Sequence, residues 1–229
     1  DKFFNPLQEL AEQLNTLQSA LASSEKIFEI LDTPSTIVDQ EGAIELEELV
    51  GEIEFKNVWF AYVDENWILK DVSFHIKPKE VVAFVGATGS GKTTILQLIV
   101  RNYDIQKGQI LIDDIDIADI SISSLRRAIG QMLQDVFLFS GNIKSNVTLF
   151  DDKFSDEEIN DAVKYVNADH FINKLDKKLD EEVVERGDNF SQGQRQLLSF
   201  ARTILHKPQI LLLDEATANI DTETEVLIQ

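Results

Sequence analysis

Gly86-Ala87-Thr88-Gly89-Ser90-Gly91-Lys92-Thr93 has the spacing G-x-x-x-x-G-K-[ST], the chemistry of a loop wrapped around a chain of phosphates. Such a loop must turn its backbone N–H groups inward, and Gly86, Gly89 and Gly91 supply the positive φ angles and close approach involved. Lys92 brings positive charge to the β and γ phosphates, and Thr93 offers a hydroxyl to Mg²⁺. Thr88, Ser90 and Thr94 complete the candidate nucleotide-binding stretch. Far downstream, Ile210-Leu-Leu-Leu213 runs into Asp214-Glu215. Asp214 would hold Mg²⁺ through water and Glu215 would orient or polarise an attacking water, the two acidic roles a phosphate-loop hydrolase needs. Taken alone, a strand ending at a solvated acidic turn also explains that pair.

These groups need a scaffold that brings residue 93 to residue 214. Apolar runs predict strands near Ile53–Phe60, Val72–Ile76, Val81–Val85, Gln109–Ile112, Ile129–Leu133 and Ile210–Leu213, with helix from Thr94 to Val100 after the loop. The alternation of strand and helix argues for a mixed α/β class, with phosphates at the carboxyl ends of the strands. Helical patterns between about Ser155 and Phe190 predict a helical subdomain. At the front of the chain, Leu7, Leu10, Leu14, Leu17, Leu21, Phe28 and Leu31 fall on three- and four-residue steps, with Ser24 interrupting one position. That is a helical apolar seam, opened by Asn5-Pro6 and stopped by Asp32-Thr33-Pro34. A core helix or a coiled coil would both show it.

A third motif, Asn189-Phe-Ser-Gln-Gly-Gln194, opens the helical stretch Arg195–Leu205 shortly before the Asp214 strand. Ser191 reads as an N-cap, Gly193 permits close backbone approach, and the helix start directs positive charge at an anion. The cap of a plain surface helix reads the same way. The hexapeptide resembles the signature motif L-S-G-G-Q of ATP-binding-cassette (ABC) ATPases, with Phe190 in place of Leu and Gln192 in place of the first Gly. The resemblance implies that Ser191, Gln192, Gly193 and Gln194 face the γ-phosphate held by another subunit. Gln192 adds bulk at that approach.

Other family elements occur in order. Gln134 resembles the Q-loop glutamine that touches Mg²⁺, and Tyr62 the aromatic that stacks on adenine, although strands favour aromatics in any case. Glu185-Arg-Gly187 resembles the loop that exporters place near their coupling helices, and Ala218-Asn-Ile-Asp221 the D-loop. The resemblance spans about residues 50–229. It implies a P-loop NTPase (RecA-like) core with an antiparallel β subdomain and a helical subdomain at about 135–195, preceded by a long N-terminal helix. ATP and Mg²⁺ follow as cofactors, with Lys92 and Glu215 catalytic and Thr93, Gln134 and Asp214 at the metal.

Leu17–Leu31 resembles the segment that leaves the last transmembrane helix of exporter half-transporters. The expected organisation is then a helical extension over residues 1–32, a linker over 33–50 containing Pro34, Gly42 and Glu45-Leu-Glu-Glu48, and an ABC nucleotide-binding domain over 51–229. The expected function is ATP hydrolysis powering export, on the cytoplasmic face of a membrane. The expected partners are a second nucleotide-binding domain, identical or not, and a transmembrane domain of the same polypeptide. A soluble cassette ATPase and a non-hydrolysing nucleotide-binding or dimerisation module are the alternatives. His75, His170 and His206 all lie away from the family's switch-histidine position beyond the D-loop, so a C-terminally incomplete domain is expected.

Composition excludes other classes. A formal net charge of −20 counts against a phosphate-backbone binder and hence against nucleic acid as partner. With no cysteine, disulfides and thiol redox chemistry are excluded. No apolar run approaches the roughly 18–20 residues needed to span a bilayer, so the domain itself is expected to be soluble and cytosolic. Asp151-Asp152, Asp156-Glu-Glu158 and Asp180-Glu-Glu182 read as solvated helix starts and loops, and Asp113-Asp114-Ile-Asp116 as a turn more than a cation site.

Overall fold

The computed structural model describes residues 4–132 and 135–214, the side chain of Leu7 excepted. The chain divides into two compact units, Asp1–Val38 and Asp39–Gln229. The first is the helix α1, Phe4–Asp32, with Pro6 in its opening turn, where a missing N–H costs nothing. Leu10, Leu14, Leu17, Leu21, Phe28 and Leu31 all lie exposed along it.

The second unit runs β1 Ile53–Ala61, β2 Trp67–Ile76, α2 Lys92–Ile99, β3 Lys107–Ile112, β4 Ile115–Asp116, α3 Ile122–Ala128 and β5 Ile129–Met132. It continues through β6 Gly141–Asn142, α4 Ile143–Thr148, α5 Asp156–Tyr165, α6 Asp169–Ile172, β7 Glu182–Val183, α7 Gln192–Leu205 and β8 Ile210–Leu213. An antiparallel sheet has the order β2-β1-β3-β4, while β5 and β8 pair in parallel from Ile129↔Ile210 to Met132↔Leu213. The mixed α/β architecture with an antiparallel β part, a helical part and a leading helix is therefore the observed one.

Two apolar cores hold the unit. Ile53, Phe55, Val58, Phe60, Leu98, Ile99, Ile110, Ile112 and Leu125 fill the first, packing α2 and α3 beneath the antiparallel sheet. Along β1 the buried set changes phase between Phe55 and Val58, because the register with β2 slips there and Asn57 takes φ 49. The extra residue of this bulge lets Val58 and Phe60 face inward after Ile53 and Phe55. Met132, Leu138, Ile143, Val147, Ile159, Val163, Leu198 and Leu205 fill the second core, within the helical part.

One strand expectation is corrected. Val81–Val85 reads as a buried strand, yet it forms no ladder among the described residues, and Val81 and Val85 are 98% and 93% exposed. An apolar run becomes a strand only where neighbours accept its backbone bonds. Here β8 bonds β5 along one edge, and a trough of about 660 Å³, lined by Val82, Phe84, Leu96, Leu211 and Leu213, separates its surroundings from residues 81–84.

In the tract from Asp113 to Asp116 the first two residues form a turn and the last two are β4. Asp113 and Asp114 adopt φ 49 and 65 between β3 and β4, and the Asp113 carboxylate accepts the backbone N–H groups of Val50, Gly51 and Glu52 at 2.7–3.0 Å. Those bonds occupy the oxygens that a cation would need, and they dock the chain entering β1. Asp113→Ala is expected to lower unfolding stability by about 1–3 kcal/mol, since three donors lose a charged acceptor. Urea titration of the two chains measures it.

Candidate functional site

The phosphate-loop stretch begins with exposed backbone at Gly86 and closes at Gly91, the N-cap of α2. Gly89 and Gly91 take φ 82 and 90, as the loop chemistry requires. Gly86 does not take a positive φ, and a Cβ there would stand 2.6 Å from Ser90 Oγ, so that side chain would have to turn away. No side chain among the described residues caps α2, whereas Asn142, Ser155 and Ser191 cap α4, α5 and α7 through complete capping boxes. The first N–H groups of α2 are thus left for an anion, which the helix dipole also favours.

Lys92 Nζ donates to Gly86 O at 2.8 Å and Ala87 O at 3.2 Å, so the ammonium lies across the loop it would serve. The next side chain reaches the other half of the site. Thr93 Oγ1 donates to Asp214 Oδ1 at 3.2 Å, joining the start of α2 to the end of β8 across 121 positions. Asp214 is 9% exposed, and its backbone N–H bonds Met132 O, continuing the parallel ladder. A hydroxyl and one carboxylate, both hard oxygens, suit Mg²⁺, which takes few protein ligands and completes its shell with water and phosphate. Among the described residues there is no group of three or more acidic or imidazole side chains that would hold a metal without phosphate. Tyr62 follows directly on β1, and its hydroxyl lies 3.1 Å from Thr94 Oγ1.

Ser191, Gln192, Gly193 and Gln194 stand together at the start of α7. Ser191 Oγ accepts the Gln194 N–H at 3.2 Å and the Ser191 N–H donates to Gln194 Oε1 at 2.9 Å. A Cβ on Gly193 would meet none of the described residues within 4 Å. Phe190, the departure from Leu, is 7% exposed and packs its ring against Phe171 at 6.2 Å between centroids. Gln192 lines a cleft of about 420 Å³ with Asp135, Arg186, Asp188 and Arg195. No hydrogen bond among the described residues links these α7 residues to the loop at 86–94. Within one chain, then, the phosphate loop and Asp214 are brought together, and the Ser191 group is not joined to them. Gln134, Glu215 and Ala218–Asp221 lie outside the described residues.

Two positioning side chains escaped the sequence reading. Asn146, fully buried, bonds both the N–H and C=O of Phe139 through its amide. Arg202 on α7 donates to Asn146 O at 2.8 Å, Asn146 Oδ1 at 3.2 Å and Phe137 O at 3.2 Å. Burial pushes its guanidinium below the ordinary value. This latch fixes residues 137–142, just beyond Gln134, to the helix that starts at Ser191. A lone Asn in Ile143–Val147 and a lone Arg in Phe200–Leu205 were its only traces in sequence.

Residues 69–218 match the ABC transporter family model. The chain is 46% identical over its whole length to the putative ABC transporter ATP-binding protein exp8 of Streptococcus pneumoniae, covering 39% of that protein. It is 44% identical over its whole length to the probable multidrug resistance ABC transporter ATP-binding/permease protein YheH of Bacillus subtilis, covering 34% of it. A solved bacterial Atm1-family ABC exporter with ATP bound superposes with a TM-score of 0.85 at 38% identity, over 98% of this chain and 40% of that one. The chain thus spans well under half the length of these relatives. With the phosphate loop, Asp214 and the α7 start all inside the aligned span, the chain belongs to the ABC transporter family, as one of its ATP-binding domains.

Proposed function

We propose that this domain hydrolyses ATP at an interface shared with a second ATP-binding domain, and that closing and reopening of that interface drives export through a transmembrane domain of the same polypeptide. The observation that carries the reading is the 3.2 Å contact of Thr93 with Asp214, which sets a phosphate loop beside a buried acid at a strand end. The open surface at Gly193 supports the shared interface, because no described residue of its own chain needs a glycine there. The relatives' description as ATP-binding/permease proteins, of which this chain spans only part, supports the coupling to a membrane domain.

In this mechanism the loop N–H groups and Lys92 hold the β and γ phosphates, and Tyr62 stacks on the base. Glu215, directly after Asp214, orients a water and accepts its proton as the water oxygen bonds to the γ-phosphorus and the bond to the β-phosphate oxygen breaks. Ser191, Gly193, Gln194 and the α7 N-terminus, presented from the second domain, balance the charge on the transferring group. Thr93, Gln134 and Asp214 would hold Mg²⁺, which neutralises phosphate charge when bound.

Residues 1–32 would then be the helical extension of the membrane domain, 33–50 a linker and 51–229 the ATP-binding domain, placed at the cytoplasmic face. Among the described residues no helix is long and apolar enough to cross a membrane. Glu215→Gln in the full chain is expected to lower Mg-ATPase turnover at least about 100-fold and to leave a persistent ATP-bound dimer. Rate assays and cross-linking of the two domains read this. Unchanged turnover, or no ATP-dependent dimer, would refute the shared site.

A further inference from the structure

Tyr62 is held from three sides. Its ring meets Phe60 at 4.8 Å between centroids and Tyr103 at 5.0 Å, both nearly perpendicular at 85°, and its hydroxyl bonds Thr94 Oγ1 at 3.1 Å. Phe60 and Thr94 are buried, 1% and 5% exposed, while Tyr62 and Tyr103 keep 47% and 43% of their surface open. The strand end that carries Tyr62 is clamped as well. Gln106 accepts the Ala61 N–H through Oε1 and donates from Nε2 to Ala61 O, each at 3.0 Å.

The segment bearing Tyr103 and Gln106 is itself pinned. Arg101, 2% exposed, sends its guanidinium to Ile117 O and Ala118 O at 3.3 and 3.1 Å and to Asp104 at 2.9 Å. Arg126 returns bonds to Val100 O and Arg101 O at 3.2 and 3.0 Å. Tyr103 therefore sits on a rigid bracket between α2 and β3, and it is the exposed member of the aromatic group next to Tyr62.

We propose that Tyr103 is a positioning residue for recognition of the nucleotide base: its ring holds Tyr62 edge to face in the orientation that stacks, and the Thr94 bond ties that platform to α2. The inference rests on the base-stacking role proposed for Tyr62. Perpendicular aromatic pairs contribute beyond their buried area, and loss of one loosens a side chain that has two free torsions.

The test is binding of ATP and of inorganic tripolyphosphate to the full chain carrying Tyr103→Leu, Tyr103→Phe, Tyr62→Leu or the Tyr62/Tyr103 double leucine substitution. Tyr103→Leu should weaken ATP binding about fivefold, the affinity equivalent of one such ring pair, and leave tripolyphosphate binding unchanged. Tyr103→Phe, which keeps the ring, should bind as the parent does. In the Tyr62→Leu background Tyr103→Leu should cost nothing further, because there is no ring left to hold. Equal losses for ATP and tripolyphosphate would overturn the proposal by showing a general scaffold role. Additive losses in the double variant would overturn it by showing that Tyr103 touches the base itself. If Tyr62→Leu alone leaves ATP affinity unchanged, the base platform fails and the proposal falls with it.

Discussion

Lys92→Ala is expected to lower ATP hydrolysis by about 1,000-fold while changing unfolding stability by less than about 1 kcal/mol. Rate and stability part because of where the ammonium lies. Its two bonds run to Gly86 O and Ala87 O, both on exposed backbone that water can satisfy once the side chain is gone. The ion pairs among the described residues all lie elsewhere on the chain, so deleting the charge strands no carboxylate. In the transition state of the proposed hydrolysis the same ammonium would face the charge that spreads over the γ-phosphate oxygens, and there nothing would replace it. Lys92→Arg should not rescue, since a planar guanidinium cannot occupy the place of a compact ammonium inside a loop of this curvature. Mg-ATPase rates set beside thermal midpoints separate the two roles. A midpoint that falls together with the rate would make Lys92 a scaffold residue and remove it from the mechanism.

Motifs built from consecutive residues were legible in the sequence because their geometry is local. Gly89 and Gly91 take the positive φ that the loop spelling requires, and Ser191 caps α7 as its type and position imply. Gly86 departs from that spelling, since it takes no positive φ and its near neighbour is the Ser90 side chain. Val81–Val85 failed as a strand because an apolar run reports only a preference for burial, while a ladder depends on which edge lies opposite. The latch of Arg202 on Asn146 joins residues 56 positions apart, and the Tyr62–Tyr103 pair depends on the bracket that Arg101 pins. Long-range polar contacts of this kind leave only a misplaced polar residue as their trace. What the site needs from local chemistry could be read from the chain, and what it needs from neighbouring elements required the fold.

Gly193 offers the sharpest separation of folding from function. Gly193→Asp is expected to abolish hydrolysis, by about 1,000-fold or more, with no loss of thermal stability and no loss of ATP binding at the chain's own phosphate loop. A Cβ at this position meets none of the described residues within 4 Å, and the capping bonds run between Ser191 and Gln194 alone. Replacing glycine in the first turn of a 14-residue helix removes a helix-weakening residue, and a carboxylate near the helix N-terminus adds a favourable charge. Each effect raises stability by about 0.3–1 kcal/mol. In the closed pair the same carboxylate would face the γ-phosphate bound by the second domain. At about 4 Å and an effective dielectric near 20 that repulsion is about 4 kcal/mol, enough to account for the lost rate. Calorimetry of the domain, ATP titration and Mg-ATPase assays of the full chain read the three quantities independently. Hydrolysis that survives Gly193→Asp would mean that this surface never meets a nucleotide, and the active site would then have to be complete within one chain.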